Sequence, residues 1–231
     1  MSRRPFFGGN WKCNGTVESV EKHVATLNKA TLDPNVDIVV CPSYLHIHYT
    51  MTKIKDQIKV GAQDCSLYSY GAYTGAINSE MLKDYGLSGA AAKAAKAIGD
   101  GLSVIFCFGE SLEEFKAGKT NEVVEQQLAP LFEKLSVEQW DKVVLAYEPV
   151  YAIGTGLVCD TQQAQSTHSF IRQLVGKTSS DVAGKVRIIY GGSVKASNAV
   201  ELASQSDIDG FLVGGASLKP EFADICNSKR A

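Results

Sequence analysis

The sequence predicts an α/β protein, a (β/α)8 barrel whose fourth unit is truncated or missing. Short apolar runs alternate with helical patterns along the whole of the 231 residues, the order expected of right-handed crossovers around a parallel sheet. Seven or eight such units occupy one undivided chain, and about 250 residues is typical of the closed barrel. No Gly-x-Gly-x-x-Gly opens a helix after the first apolar run, so the doubly wound dinucleotide fold, the competing architecture, loses support.

The predicted strands, in order, lie within Phe6–Lys12, Val36–Pro42, Ile58–Asp64, Leu102–Gly109, Lys142–Pro149, Val186–Ser193 and Gly210–Ser217. They are continuous runs rich in Val, Ile and Phe, as in strands buried on both faces. Glu18–Lys29 has helical spacing, and Asn121–Leu135 is long and amphipathic, with a break or kink expected at Pro130. Thr161–Gly176 starts behind Asp160 as N-cap and is expected to stop at Gly176. Lys195–Ala203 and Pro220–Asn227 read as helices after the last two strands. The interval 65–101 is too short for what a barrel would place there, since one βα unit takes roughly 30 residues. Its strongest signal, Leu87–Ile98, is Ala-rich and reads as helix rather than strand. No linker divides the chain, so residues 1–231 are expected to form a single barrel domain.

Composition narrows the function classes. Hydrophobic residues at 45% and charged residues at 21% exclude a disordered chain. With 23 basic against 25 acidic residues there is no basic field for nucleic acid or for an anionic membrane surface. No apolar run approaches the roughly 20 residues of a membrane helix, and the opening Met1-Ser-Arg-Arg-Pro-Phe-Phe7 lacks the apolar stretch of a signal peptide. Six scattered cysteines without a Cys-x-x-Cys indicate reduced, mostly buried thiols and a cytoplasmic setting, with no metal site.

Active sites of barrels lie at the C-terminal ends of the strands, and here those ends are polar. The first run ends Asn10-Trp-Lys12-Cys-Asn14 and the sixth unit's run ends Ala146-Tyr-Glu148-Pro-Val150. A Lys beside a buried strand is costly unless it is paired or faces a polar cavity; an ion pair between Lys12 and Glu148 without catalytic meaning is the plainer alternative. Glycine pairs follow the last two strands, in Tyr190-Gly-Gly-Ser193 and Val213-Gly-Gly-Ala-Ser217. Paired glycines there let backbone N–H groups and a helix N-terminus converge on an anion. Ala152-Ile-Gly154-Thr-Gly156 has the small-residue composition of a lid.

These segments, with Gly71-Ala-Tyr-Thr-Gly75 and Asp209-Gly-Phe-Leu-Val213, resemble those of the triosephosphate isomerase family from end to end. The resemblance implies a TIM barrel, commonly a homodimer, that interconverts dihydroxyacetone phosphate and glyceraldehyde 3-phosphate in glycolysis and gluconeogenesis without metal or cofactor. By position, Glu148 matches the family's proton-transferring base and Lys12 its catalytic cation. Asn10, Lys12, Gly154, Ser193, Gly214 and Gly215 match its substrate-binding residues, and Pro149-Val-Tyr151 its first lid hinge, where the family more often has Trp at position 151.

One departure is large. The family carries Gly-His-Ser-Glu-Arg-Arg after its fourth strand, the His polarising the substrate carbonyl, and that motif is absent from the interval where the strand is missing. All four histidines (23, 46, 48 and 168) fall in helical patterns. Ala76 stands where the family usually has Glu. The resemblance therefore implies strongly impaired turnover and a weakened dimer. The alternative is a non-catalytic, phosphate-binding barrel remnant, a splice or deletion variant. A phosphate-binding barrel of tryptophan biosynthesis would share only the two glycine pairs.

Overall fold

The computed structural model describes residues 3–87, 89–90, 94–152 and 159–229. Eight strands, all paired in parallel, form one sheet: β1 (Phe6–Asn10), β2 (Asp37–Cys41), β3 (Ile58–Val60), β4 (Gly89–Ala90), β5 (Ser103–Phe108), β6 (Val143–Tyr147), β7 (Arg187–Tyr190) and β8 (Gly210–Val213). Their order, β3-β2-β1-β8-β7-β6-β5-β4, is that of a barrel read around its circumference. Among the described residues the pairing stops between β3 and β4.

The sheet is curled. In the order above, β1 and β5 are four places apart, roughly 19 Å in a flat sheet. Yet Ile105 Cδ1 on β5 lies 3.7 Å from where a Cβ on Gly8 would sit, and Leu212 Cδ1 only 2.7 Å from it. Any side chain at position 8 would therefore have to displace the inner packing. Phe6, Ile105, Val144, Ala146, Ile189 and Leu212 meet on the concave face, with Val39 beside them. The outward residues of the same strands, such as Phe7, Val104, Val143 and Ile188, join the helices in the larger core. Period-2 alternation is thus present in strands whose two faces are both apolar.

The helical layer includes α1 (Val17–Lys29), α2 (Ile47–Lys53), α3 (Ser79–Asp84), α4 (Ala94–Gly99), α5 (Leu112–Lys116), α6 (Thr120–Lys134), α7 (Thr161–Thr178), α8 (Ser180–Lys185), α9 (Ala196–Ala203) and α10 (Phe222–Cys226). Local chemistry sets their starts. Thr16 caps α1 reciprocally with Ser19, and Asp160 Oδ1 accepts from Gln163 N at 2.7 Å to open α7, each satisfying an otherwise orphaned first-turn donor.

Three expectations need correction. Pro130 does not break α6, which runs through it to Lys134; packing of Val124, Leu128 and Leu131 into the core outweighs one lost backbone bond. The helix α7 passes Gly176 and ends at Thr178. The Ala-rich stretch is not one helix: Gly89 and Ala90 pair with Ser103 and Val104 of β5, and the helix described there is Ala94–Gly99. Tertiary pairing there overrides propensity, leaving a vestigial fourth strand. The thiols are free and mostly buried as expected, Cys13 and Cys107 being exposed.

Candidate active site

The site residues named from sequence sit on neighbouring strands at one end of the sheet. Asn10 ends β1, Glu148 follows β6, Ser193 follows β7 and Gly214 follows β8. These strands are adjacent in the sheet, so four separated segments meet along one arc of the rim.

Lys12 is held by its backbone rather than by its charge. Its φ is +53°, uniquely positive among the described non-glycine residues, and such a conformation costs about 1–3 kcal/mol unless its surroundings impose it. The surroundings do. Lys12 N donates to Asn10 Oδ1 at 2.9 Å, and Gln63 Nε2 donates both to Lys12 O at 2.8 Å and to Cys41 O at 3.0 Å. The side chain thereby runs toward β8, its Nζ 3.4 Å from where a Cβ on Gly214 would sit. Gln63 went unrecognised in the sequence, because a clamp on two carbonyls leaves no motif. Asn10 O in turn accepts from Ser217 Oγ at 3.4 Å, tying the first strand to the turn Gly215–Leu218.

Glu148 is half-buried. Its N–H donates to Phe108 O at 2.7 Å, and Gly191 N–H donates to Tyr147 O at 2.8 Å, so the pairing of β5, β6 and β7 continues up to this residue. A Cβ on Gly191 would lie 2.4 Å from Glu148 Cγ. Glycine at 191 is therefore required for the carboxylate to take this position. Burial raises the Glu148 pKa above the ordinary glutamate value, while a hydrogen bond from the Cys107 thiol and the positive charge of Lys12 oppose the rise. Lys12 acts across a gap, since the two form no ion pair; the non-catalytic salt bridge is not found. Cys107 was read as an inert core thiol. It instead opens to the interior of the curled sheet beside Glu148, and crowding together with that carboxylate pushes its own pKa up.

Ser193 Oγ donates to Ala152 O at 3.0 Å, linking the β7 end to the turn Val150–Ala152, which overlaps the predicted hinge Pro149–Tyr151. Tyr151 is buried there, stacked on Phe115 at 4.1 Å. Gly215 begins the turn after β8. Gly154 and the rest of the predicted lid lie outside the described residues.

No histidine reaches this rim. His23 is in α1, His46 in the turn Tyr44–His46, His48 in α2 and His168 in α7. His168 is fully buried, its Nδ1–H donates to Ala164 O at 2.7 Å, and it is held mostly neutral by burial, its pKa lowered to about 4. Among the described residues no three His, Cys, Asp or Glu side chains gather as a metal site. No helix of the described chain is long and apolar enough to cross a membrane.

Comparison with known proteins places this geometry. The sequence model of the triosephosphate isomerase family matches residues 5–91 and 88–229, two pieces that meet at the vestigial strand. Triosephosphate isomerase from the cytosol of Stellaria longipes is 47% identical over 253 aligned positions, covering 100% of this chain and 98% of the relative. The Saccharomyces cerevisiae enzyme is 44% identical over 249, covering 99% and 100%. A chloroplastic form from Secale cereale is 47% identical over 243, covering 96% and 81%.

Proposed function

The chain belongs to the triosephosphate isomerase family and is an isomerase by that membership, and from that premise we propose its reaction, its residues and its impairment. The reaction is the interconversion of dihydroxyacetone phosphate and glyceraldehyde 3-phosphate, a step of glycolysis and gluconeogenesis, in one barrel domain over residues 1–231. A Glu148 oxygen takes the proton from the carbon beside the substrate carbonyl, and the C–H electron pair moves into an enediolate. The resulting carboxylic acid returns the proton to the neighbouring carbon. A raised pKa suits this work, because a stronger base accepts a carbon-bound proton more readily. Lys12 offsets the phosphate and the developing enediolate charge. Asn10, Ser193, Gly214, Gly215 and Gly154 hold the substrate.

The observation that carries the reading is the joint placement of Lys12 in a strained backbone and Glu148 against Gly191 at one strand-end rim. What is missing is the electrophile. The four histidines lie in α1, the turn Tyr44–His46, α2 and α7, and none follows a strand to polarise the substrate carbonyl as the family's does. Loss of one such donor lowers turnover by about 10²–10³-fold, and a misplacement of about 1 Å costs on the order of 100-fold more. Turnover is therefore at least about a thousand-fold below that of a relative with a full fourth strand. If nothing supplies the electrophile, the chain acts as a phosphate-binding remnant.

The family's homodimer is weakened here. The loop Gly71–Gly75 carries exposed Tyr73, with exposed Tyr68 and Tyr70 just before it and Tyr68 stacked on Tyr73 at 4.1 Å, but the loop that would receive it is absent from the sequence. The compartment is the cytoplasm, consistent with its free thiols. Deuterium uptake into dihydroxyacetone phosphate in D2O tests the reading. Slow uptake that disappears in Glu148→Gln supports it. Uptake that survives in Glu148→Gln contradicts the assigned base.

A further inference from the structure

The concave face of the sheet is open from the strand starts at Arg4 and Asp37 to the ends of β2 and β3 at Cys41 and Ala62. A cavity of about 390 Å³ opens there between β2 and β3 on one side and β5 and β6 on the other. That volume falls within the range of small-molecule sites. Its wall is the apolar inner layer, with Phe6, Val39, Ile105 and Val144 facing it.

The mouth is charged and its cations exceed its anions. Arg4, Lys59 and Arg187 line it against Asp37 and Asp56. Asp37 is already shared, Oδ1 accepting from Arg4 Nε at 2.7 Å and Oδ2 from Arg187 Nη1 at 2.6 Å. Arg187 is further committed, its guanidinium 5.2 Å from the centre of the Phe6 ring. Lys59 is different. It stands on β3 opposite the inward-facing Val39, is exposed, and has no ion-pair partner among the described residues. Asp56 at the mouth likewise has no ion-pair partner among the described residues, but Lys59 stands on the inward face, and an apolar chamber with that cation beside it matches an amphiphile: a flexible hydrocarbon chain ending in a carboxylate.

We propose that this cavity is a binding site for a medium-chain aliphatic monocarboxylate, the chain lying against Phe6, Ile105 and Val144 and the carboxylate meeting Lys59. Burial of the chain drives association, since apolar area removed from water contributes roughly 25 cal/mol per Å². Lys59 sets the head group and its direction. The lining includes none of the residues assigned to catalysis or substrate binding, so Lys59 can be altered without touching them.

Titration calorimetry of the full chain with decanoate, kept below its micelle-forming concentration, tests the proposal. Saturable one-site binding with a negative heat-capacity change is expected. Lys59→Glu is expected to weaken decanoate at least about tenfold, or about 1.4 kcal/mol, while leaving decanol unchanged. Ile105→Trp, which fills the chamber, is expected to abolish both. Should Ile105→Trp fail to fold, the exposed Lys59→Glu still decides. Absence of saturable heat, equal affinity for decanoate and decylamine, or decanoate binding unaffected by Lys59→Glu each overturns it.

Discussion

Two arcs of the same sheet are built from the same kind of unit and have different fates. Along β6, β7, β8 and β1 the strands are four or five residues long, and Asp209 staples three of them from below. Its Oδ1 accepts from Arg3 Nε at 2.7 Å, and its Oδ2 from Arg172 Nη2 at 2.7 Å and Ile188 N at 2.8 Å. Along β3, β4 and β5 the strands shrink to three and two residues before β5. That strand pairs with β6 over Val104–Phe108 but, among the described residues, with β4 only at Ser103 and Val104. The first arc carries Lys12, Glu148 and the glycine ends. The second arc carries an empty chamber and no histidine. The difference teaches that binding and proton abstraction are local properties of the strand ends that supply them. A barrel arc can keep its geometry when a neighbouring sector is thinned, because each strand is secured mainly by its two neighbours.

The largest expected contrast is in stability. Asp209→Ala leaves two guanidinium groups without their shared carboxylate and is expected to cost about 3–5 kcal/mol. The matching change on the thin arc, Lys59→Ala, is expected to stay within about 0.5 kcal/mol. Urea unfolding of the two variants measures both, and equal costs would erase the distinction.

Next comes pH. His168 packs against Tyr147 and Tyr190 at the base of the stapled arc. Its folded pKa is lowered to about 4 from 6.5, so the unfolded chain takes up the proton first as pH falls. The neutral ring's contribution is complete above about pH 6.5 and is lost as pH falls toward 4, a change on the order of 3 kcal/mol. Denaturation midpoints between pH 7 and 4.5 should decline accordingly, and His168→Gln should flatten that slope.

Much of the stapled arc is legible in the sequence. The runs ending at Asn10, Glu148, Tyr190 and Val213 have apolar strands and polar or glycine ends, both set locally. The thin arc is legible only as a shortage of residues between Asp64 and Leu102. That Gly89 and Ala90 would still be recruited to β5 does not follow from their propensities, since only the exposed edge of β5 makes pairing favourable. Gln63 and Cys107 were missed for a related reason. One bonds to carbonyls and the other to a carboxylate far away in sequence, so neither partner stands within any local pattern.

A smaller effect sharpens the comparison where the arcs meet. Amides of Ile105–Phe108 should exchange with solvent at least about tenfold faster than those of Ile188–Tyr190, reflecting cheaper local opening. Equal protection would mean that the β5 edge is covered.

The smallest expected change concerns the base itself. Cys107→Ala removes a hydrogen bond that holds the Glu148 pKa down. The acidic limb of kcat/KM should then move to higher pH by less than about one unit, or about 1.4 kcal/mol. Cys107→Ser should restore it, and an unmoved limb in Cys107→Ala would detach the thiol from the base.

The central claim is that the stapled arc binds substrate and carries the base while the thinned arc no longer supplies the electrophile. Steady-state kinetics and binding of a phosphate-bearing transition-state analogue, measured on one preparation beside a full-length relative, test it most directly. The account predicts saturable analogue binding together with turnover at least about a thousand-fold below the relative. Turnover within tenfold of the relative, or no analogue binding at all, would contradict it.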